Sequence, residues 1–120
     1  MKTILIVEDD PYNAEYIKEV LSGFRLIILE AGNGEDAVEI SLSQKIDLIL
    51  MDIRLSNIDG YEAIRQIRQH KPYLKIIAQT AYAAQDEKQK AFEVGCIDYV
   101  NKPTKREVLL SILNKHLKGQ

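Results

Sequence analysis

A chain of 120 residues has room for one domain with a substantial core, and it needs no disulfide or metal staple to hold that core together. Its 46% hydrophobic and 28% charged residues are ordinary for a globular fold, and a net charge of −2 argues against a nucleic-acid or membrane-surface footprint. Cys96 is alone, which excludes an internal disulfide and a cysteine-built metal site, and no apolar run approaches the ~20 residues of a membrane span or forms a signal-peptide core; a reducing cytoplasm is the expected location.

Ile4-Leu5-Ile6-Val7 reads as a buried first strand and runs straight into Glu8-Asp9-Asp10-Pro11. Asp10 suits a helix N-cap with proline in the first helical position, and Ala14, Ile17, Val20 and Leu21 form the stripe of that helix. A second strand over 26–29 leads to Asn33, which can cap a helix carrying the short stripe Ala37, Ile40 and Leu42. The third strand, over 46–51, delivers Asp52 into a loop, and Tyr61, Ile64 and Ile67 mark the third helix. A fourth strand over 75–78 ends in Gln79-Thr80-Ala81. The fourth helix has only a weak stripe of Ala84, Ala91 and Phe92, and 85–90 is polar almost all round. Such a helix gains little from burial: it is either a solvated face or a mobile functional surface. Gly95 suits a left-handed residue closing it. A fifth strand over 97–100 ends in Asn101-Lys102-Pro103, and Val108, Leu109, Ile112, Leu113 and Leu117 give the last helix the cleanest pattern.

Five strands alternating with five helices predict right-handed βαβ units and a parallel sheet covered on both faces, in one (βα)5 domain spanning 1–120. Chemistry in such sheets gathers beyond the carboxyl ends of the strands. Capping explains Asp10, but it does not explain Glu8-Asp9, nor Asp52 ahead of a loop. Like charges ~4 Å apart repel by about 4 kcal/mol at an effective dielectric of ~20, so three carboxylates brought together demand protons, a lysine or a divalent cation. Oxygen ligands at this density suit a hard ion of the Mg²⁺ type. A hydroxyl at Thr80 and a cation at Lys102 complete a set in which each central strand presents one group suited to a phosphoryl site at the same edge.

These pieces resemble a two-component receiver domain from Lys2 to about Leu117. They are Ile4-Leu5-Ile6-Val7-Glu8-Asp9-Asp10, Met51-Asp52, Asp59-Gly60-Tyr61-Glu62, Thr80-Ala81 and Asp98-Tyr99-Val100-Asn101-Lys102-Pro103. Receivers of hybrid sensor kinases and phosphorelay proteins are especially similar. The resemblance implies a flavodoxin-like doubly wound sheet of strand order 2-1-3-4-5. Asp52 would be the phospho-acceptor. Glu8, Asp9, Asp52 and the Arg54 backbone carbonyl would ligate Mg²⁺. Thr80 and Tyr99 would form the switch, with Lys102 pairing the phosphoryl group ahead of a cis proline. Implied partners are a histidine kinase or histidine phosphotransfer protein as donor and a downstream protein target or attached output domain. A phosphorylation-dependent dimer through the fourth and fifth helices is possible on this reading. Neither direct nucleic-acid binding nor membrane insertion is expected. No independent enzyme class is implied beyond the chain's own phosphorylation and dephosphorylation.

Ser56 replaces the proline common in the loop after the acceptor, and Glu8 is an accepted variant of the acidic pair. Arg54 and Tyr82 lie two residues beyond Asp52 and Thr80 and flank the implied site. They are expected to obstruct the attacking water, so that Arg54→Ala or Tyr82→Ala accelerates loss of phosphate; hydrolysis at the parent rate in both variants would refute this. Cys96 reads as a small buried residue, and His70 and His116, in a polar loop and near the C-terminus, have no partner that suggests catalysis or a metal. A flavodoxin-like cofactor binder is disfavoured because Glu8-Asp9-Asp10 would repel its phosphate, and an aspartate-nucleophile phosphatase because Arg54 stands where its second aspartate belongs. The remaining rival is a phosphorylation-dead interaction module, although the acidic pair, Asp52, Thr80 and Lys102 are all kept. Only Lys118-Gly119-Gln120 follow the last helix, so no output domain is expected within this sequence.

Overall fold

The computed structural model describes residues 1–55, 58–81 and 85–117. Ser56, Tyr82 and Ala84, each singled out in the sequence, lie outside the described residues, as do Lys118, Gly119 and Gln120. Strands β1 (Lys2–Val7), β2 (Leu26–Ala31), β3 (Leu48–Asp52), β4 (Lys75–Thr80) and β5 (Asp98–Asn101) alternate with helices α1 (Pro11–Leu21), α2 (Gly34–Ser43), α3 (Gly60–His70), α4 (Gln85–Glu93) and α5 (Arg106–Leu117). All strand pairs are parallel and the order is β2-β1-β3-β4-β5, the flavodoxin-like arrangement. Among the described residues, no helix is long and apolar enough to cross a membrane.

Period-two alternation along the strands divides the core in two. Ile4, Ile6, Leu48, Leu50, Ile77 and Val100 face α1 and α5, where they meet Ile17, Val20, Leu21, Leu109 and Leu113. Leu5, Val7, Ile49, Met51, Ile76 and Ala78 face the other layer and pack on Ala37, Ile64, Ile67 and Ala91. Since both faces of the sheet are covered, the central strands read as unbroken apolar runs.

Local signals work as their chemistry requires. The Asp10 side chain accepts from the Tyr12 N–H at 3.0 Å with Pro11 opening α1, and Asn33 accepts from the Asp36 N–H at 2.8 Å. Gly95 closes α4 at φ +112°, and its carbonyl accepts from Arg68 Nε at 3.1 Å and Nη2 at 2.6 Å, joining the end of α4 to α3.

Several stripe assignments shift. Ser41, one turn after Ala37, is buried with it in α2, and Leu42 is exposed because it lies ~100° further round the helix than Ser41. Phe92 and Val108 are likewise exposed. β3 begins at Leu48, where the preceding Asp47 carboxylate accepts from the Thr3 N–H at 2.8 Å, and β5 begins one residue after Ile97. His116, read as having no catalytic or metal partner, has a structural one: its Nε2 sits 2.9 Å from Asp98, and the contact fastens the end of α5 to the start of β5. Burial disfavours the Asp98 charge, but His116, the Tyr99 N–H and Lys115 outweigh it and hold that carboxyl below its usual range.

Candidate functional site

The sheet order decides where the chemistry collects. β1 and β3 are neighbours, so Glu8, just past Val7, and Asp52, the last residue of β3, emerge side by side at the carboxyl edge. Thr80 ends β4 at the same edge, and Lys102 follows the last residue of β5. Glu8 and Asp52 are 5% and 2% exposed, whereas Asp9 faces solvent. One carboxylate oxygen from each of the three lies within 4.8 Å of the others, close enough to share a metal ion.

Lys102 reaches into this cluster. Its Nζ is 2.9 Å from Glu8 Oε1, 3.1 Å from Glu8 Oε2 and 3.0 Å from Asp52 Oδ2. The Lys102–Pro103 peptide is cis, as the resemblance implied, and the Lys102 N–H donates to the Thr80 carbonyl at 2.7 Å, which fixes β5's end beside β4's. Asp52 Oδ1 accepts from the Arg54 N–H at 3.0 Å. Glu8 is further held by the Asn13 amide and by the Asp10 N–H at 3.2 Å. Asn13 was not singled out from sequence; the available signal was an amide in the first turn of α1, facing back over the strand end.

Charge is unevenly settled. Burial resists ionisation of Glu8, but hydrogen bonds from Lys102 and Asn13 outweigh it and lower the carboxyl below its ordinary range. For Asp52 burial wins: with the Glu8 charge beside it, the carboxyl is pushed up to about 6 despite Lys102. Burial works against the Lys102 charge as well, yet Glu8 and Asp52 together raise its pKa. The site thus holds one settled carboxylate, one reluctant carboxylate and a cation bridging them.

Gly60 braces the loop from below. A Cβ there would stand 2.5 Å from the Asp52 carbonyl oxygen and 2.6 Å from the Ile53 Cα, so only glycine lets α3 start this close under the acidic strand end.

Tyr99 lies apart from the carboxylates, half-buried against α4. Its ring meets Phe92 edge-to-face at 5.9 Å and 83°, and Lys88 Nζ stands 4.8 Å from its centroid. The Tyr61 hydroxyl donates to the Glu87 carboxylate, and Lys90 Nζ sits 5.1 Å from the Tyr61 ring. These polar and aromatic contacts hold a helix whose sequence offers little to bury. Cys96 is buried, with its thiol pushed up to about 12 by desolvation, which makes it a packing residue.

The model of the response regulator receiver domain family matches residues 4–114. This chain belongs to that family. The receiver domain of the sensor histidine kinase PA1611 from Pseudomonas aeruginosa PAO1, solved with a magnesium ion coordinated in its active site cleft, matches at a TM-score of 0.89 and 37% identity over 97% of each chain. The receiver domain of the Saccharomyces cerevisiae response regulator Ssk1, solved with the histidine phosphotransfer protein Ypd1, matches at a TM-score of 0.91 and 31% identity, covering 96% of this chain and 88% of that one. A probable cyclic di-GMP phosphodiesterase of Vibrio cholerae serotype O1 is 36% identical over 120 residues, 98% of this receiver and 27% of that protein. The chain spans about a quarter of the length of such curated relatives.

Proposed function

We infer that residues 1–120 form one receiver domain that takes a phosphoryl group onto Asp52 in a two-component phosphorelay, with Mg²⁺ held by Glu8, Asp9, Asp52 and the Arg54 carbonyl. The observation that carries this reading is the buried Asp52 carboxylate, bound 3.0 Å from Lys102 Nζ and within ligand-sharing distance of Glu8 and Asp9. The site's chemistry supports it. An Asp52 oxygen attacks phosphorus, the P–N bond of a phosphohistidine donor protonated on its other ring nitrogen breaks, and the bond's electron pair leaves with a neutral imidazole. Such a transfer depends on positioning and charge neutralisation, which a dication and an ammonium supply.

The product carries added charge and three acceptor oxygens beside Thr80 and Lys102. Thr80 and Tyr99 respond, and the change passes to the surface formed by α4, β5 and α5, where a downstream partner or a second copy binds. The donor is a histidine kinase or a histidine phosphotransfer protein, as the Ypd1–Ssk1 complex exemplifies, and the setting is the cytoplasm. Arg54, exposed beside the acceptor, screens it from water and lengthens the life of the acyl phosphate. A phosphorylation-dead module is the weaker reading, since Glu8, Asp9, Asp52, Thr80 and Lys102 are all retained.

Intact-mass analysis after incubation with Mg²⁺ and a small acyl-phosphate donor tests the reading. One phosphoryl adduct is expected with the parent and none with Asp52→Asn or after chelation of the metal. An adduct that persists in Asp52→Asn would remove Asp52 as acceptor. Absence of both adduct and Mg²⁺ binding in the parent would favour the interaction module.

A further inference from the structure

Gln79 has no role in the site as built so far, yet its surroundings are unusual. It is 1% exposed, and neither its Oε1 nor its Nε2 has a hydrogen-bond partner among the described residues. A buried amide left unpaired is costly, and an apolar side chain of the same size would avoid the cost. Strand alternation places Gln79 on the α1 and α5 side, the same side as Ile77. Its register neighbours are Asp52 on β3 and Val100 on β5. Lys102, two residues beyond Val100, must cross the end of β4 to reach Asp52 on β3 and Glu8 after β1. Gln79 is the last β4 residue on that face, so it is the β4 side chain nearest the strand end that the lysine crosses.

The lysine at present occupies both oxygens of Glu8 and one of Asp52. Mg²⁺ requires carboxylate oxygens at about 2.0–2.1 Å and would compete for the same atoms. Two cations sharing those oxygens repel each other, so the more weakly charged one must give ground. We propose that Gln79 is a positioning residue for Lys102: when metal takes Glu8, the Gln79 Oε1 accepts the ammonium N–H hydrogen bond that Glu8 gives up and keeps the ammonium directed at Asp52. This rests on the metal-binding reading of Glu8, Asp9 and Asp52. It gives the unpaired amide oxygen a partner in the metal-loaded form and spares the half-buried ammonium an unpaired N–H.

Mg²⁺ titrations of the parent, Gln79→Leu, Lys102→Met and the double variant test this, together with the side-chain amide resonances of Gln79 assigned by their loss in Gln79→Leu. Gln79→Leu should weaken Mg²⁺ binding about tenfold in the parent background, the scale of one hydrogen bond to a charged group, and leave it unchanged in the Lys102→Met background. The Gln79 amide resonances should shift on Mg²⁺ addition in the parent and not in Lys102→Met. Gln79→Met, equally long and without the acceptor, repeats the comparison if leucine packs poorly. Affinity equal to or tighter than the parent's, or an equal loss in both backgrounds, would overturn the proposal while leaving the metal site intact. A parent that binds no Mg²⁺ would refute the metal reading and this inference with it.

Discussion

Lys102→Met should destabilise the protein by about 3–5 kcal/mol at neutral pH and at the same time tighten its hold on Mg²⁺. Methionine keeps the stem's packing and removes only the ammonium, so the loss is electrostatic. Glu8 and Asp52 would then face each other buried without the ammonium, the Asn13 amide and the Asp10 and Arg54 N–H groups donating hydrogen bonds that remain to them among the described residues. The pH dependence follows from the directions of the shifts. The Lys102 pKa is raised, so its contribution is present below the ordinary value of 10.5 and is lost only above it. The Glu8 pKa is lowered, so its contribution is present above the ordinary 4.5 and disappears as pH falls through the depressed value. The difference between parent and variant should therefore be full near neutrality and shrink in acid, where the uncompensated carboxyls take up protons. Urea unfolding across that range, with and without Mg²⁺, checks both halves. Mg²⁺ should restore much of the lost stability, because a dication replaces the missing ammonium and meets no competitor. Equal stability of variant and parent at neutral pH, or weaker Mg²⁺ binding by the variant, would show that Lys102 does not govern the charge of this site.

Most of this frame was legible in the chain because its signals are local. Asp10-Pro11 and Asn33 mark helix starts through hydrogen bonds that close within three residues, and Ile4-Leu5-Ile6-Val7 can only be a strand buried on both faces. The acidic cluster was readable for a related reason: a strand ends where its apolar run ends, so Glu8 and Asp52 announce their edge before any strand order is known. What could not be read depends on register. Nothing in 79–80 says that Gln79 lies between Asp52 and Val100, and its amide looked like one more polar residue at a strand end. The Asn13 contact to Glu8 and the His116 contact to Asp98 needed the packing of α1 and α5 onto the sheet. The exposure of Leu42, Phe92 and Val108 had the same origin: a 3.6-residue stripe states which residues share a face, and neighbouring elements decide how far that face is covered.

Asp52→Asn should raise stability at neutral pH by about 3 kcal/mol, roughly 9–18 °C in Tm, while removing the proposed acceptor and weakening Mg²⁺ binding. Burial, first, and the neighbouring Glu8 charge hold the Asp52 carboxyl at about 6 against an ordinary 3.8. A raised carboxyl favours the protonated folded state. Below the ordinary value the group is neutral folded or unfolded and costs nothing; between the two values stability falls as pH rises; above about 6 the full cost persists. Asparagine has no such cost, and its side-chain oxygen can still accept from Lys102. The gain should be absent near pH 3 and complete by about pH 7, which denaturant unfolding at several pH values would reveal. A gain independent of pH would point to packing instead of charge, and no gain would mean that Lys102 already compensates Asp52 in full. The direction matters for mechanism. An acceptor made comfortable by its surroundings would gain little when a dication arrives, whereas a carboxylate that is unfavourable alone is relieved by Mg²⁺. On the proposed function, the stability the fold forgoes at Asp52 would be recovered on metal loading, which would leave Lys102 to pair the incoming phosphoryl group.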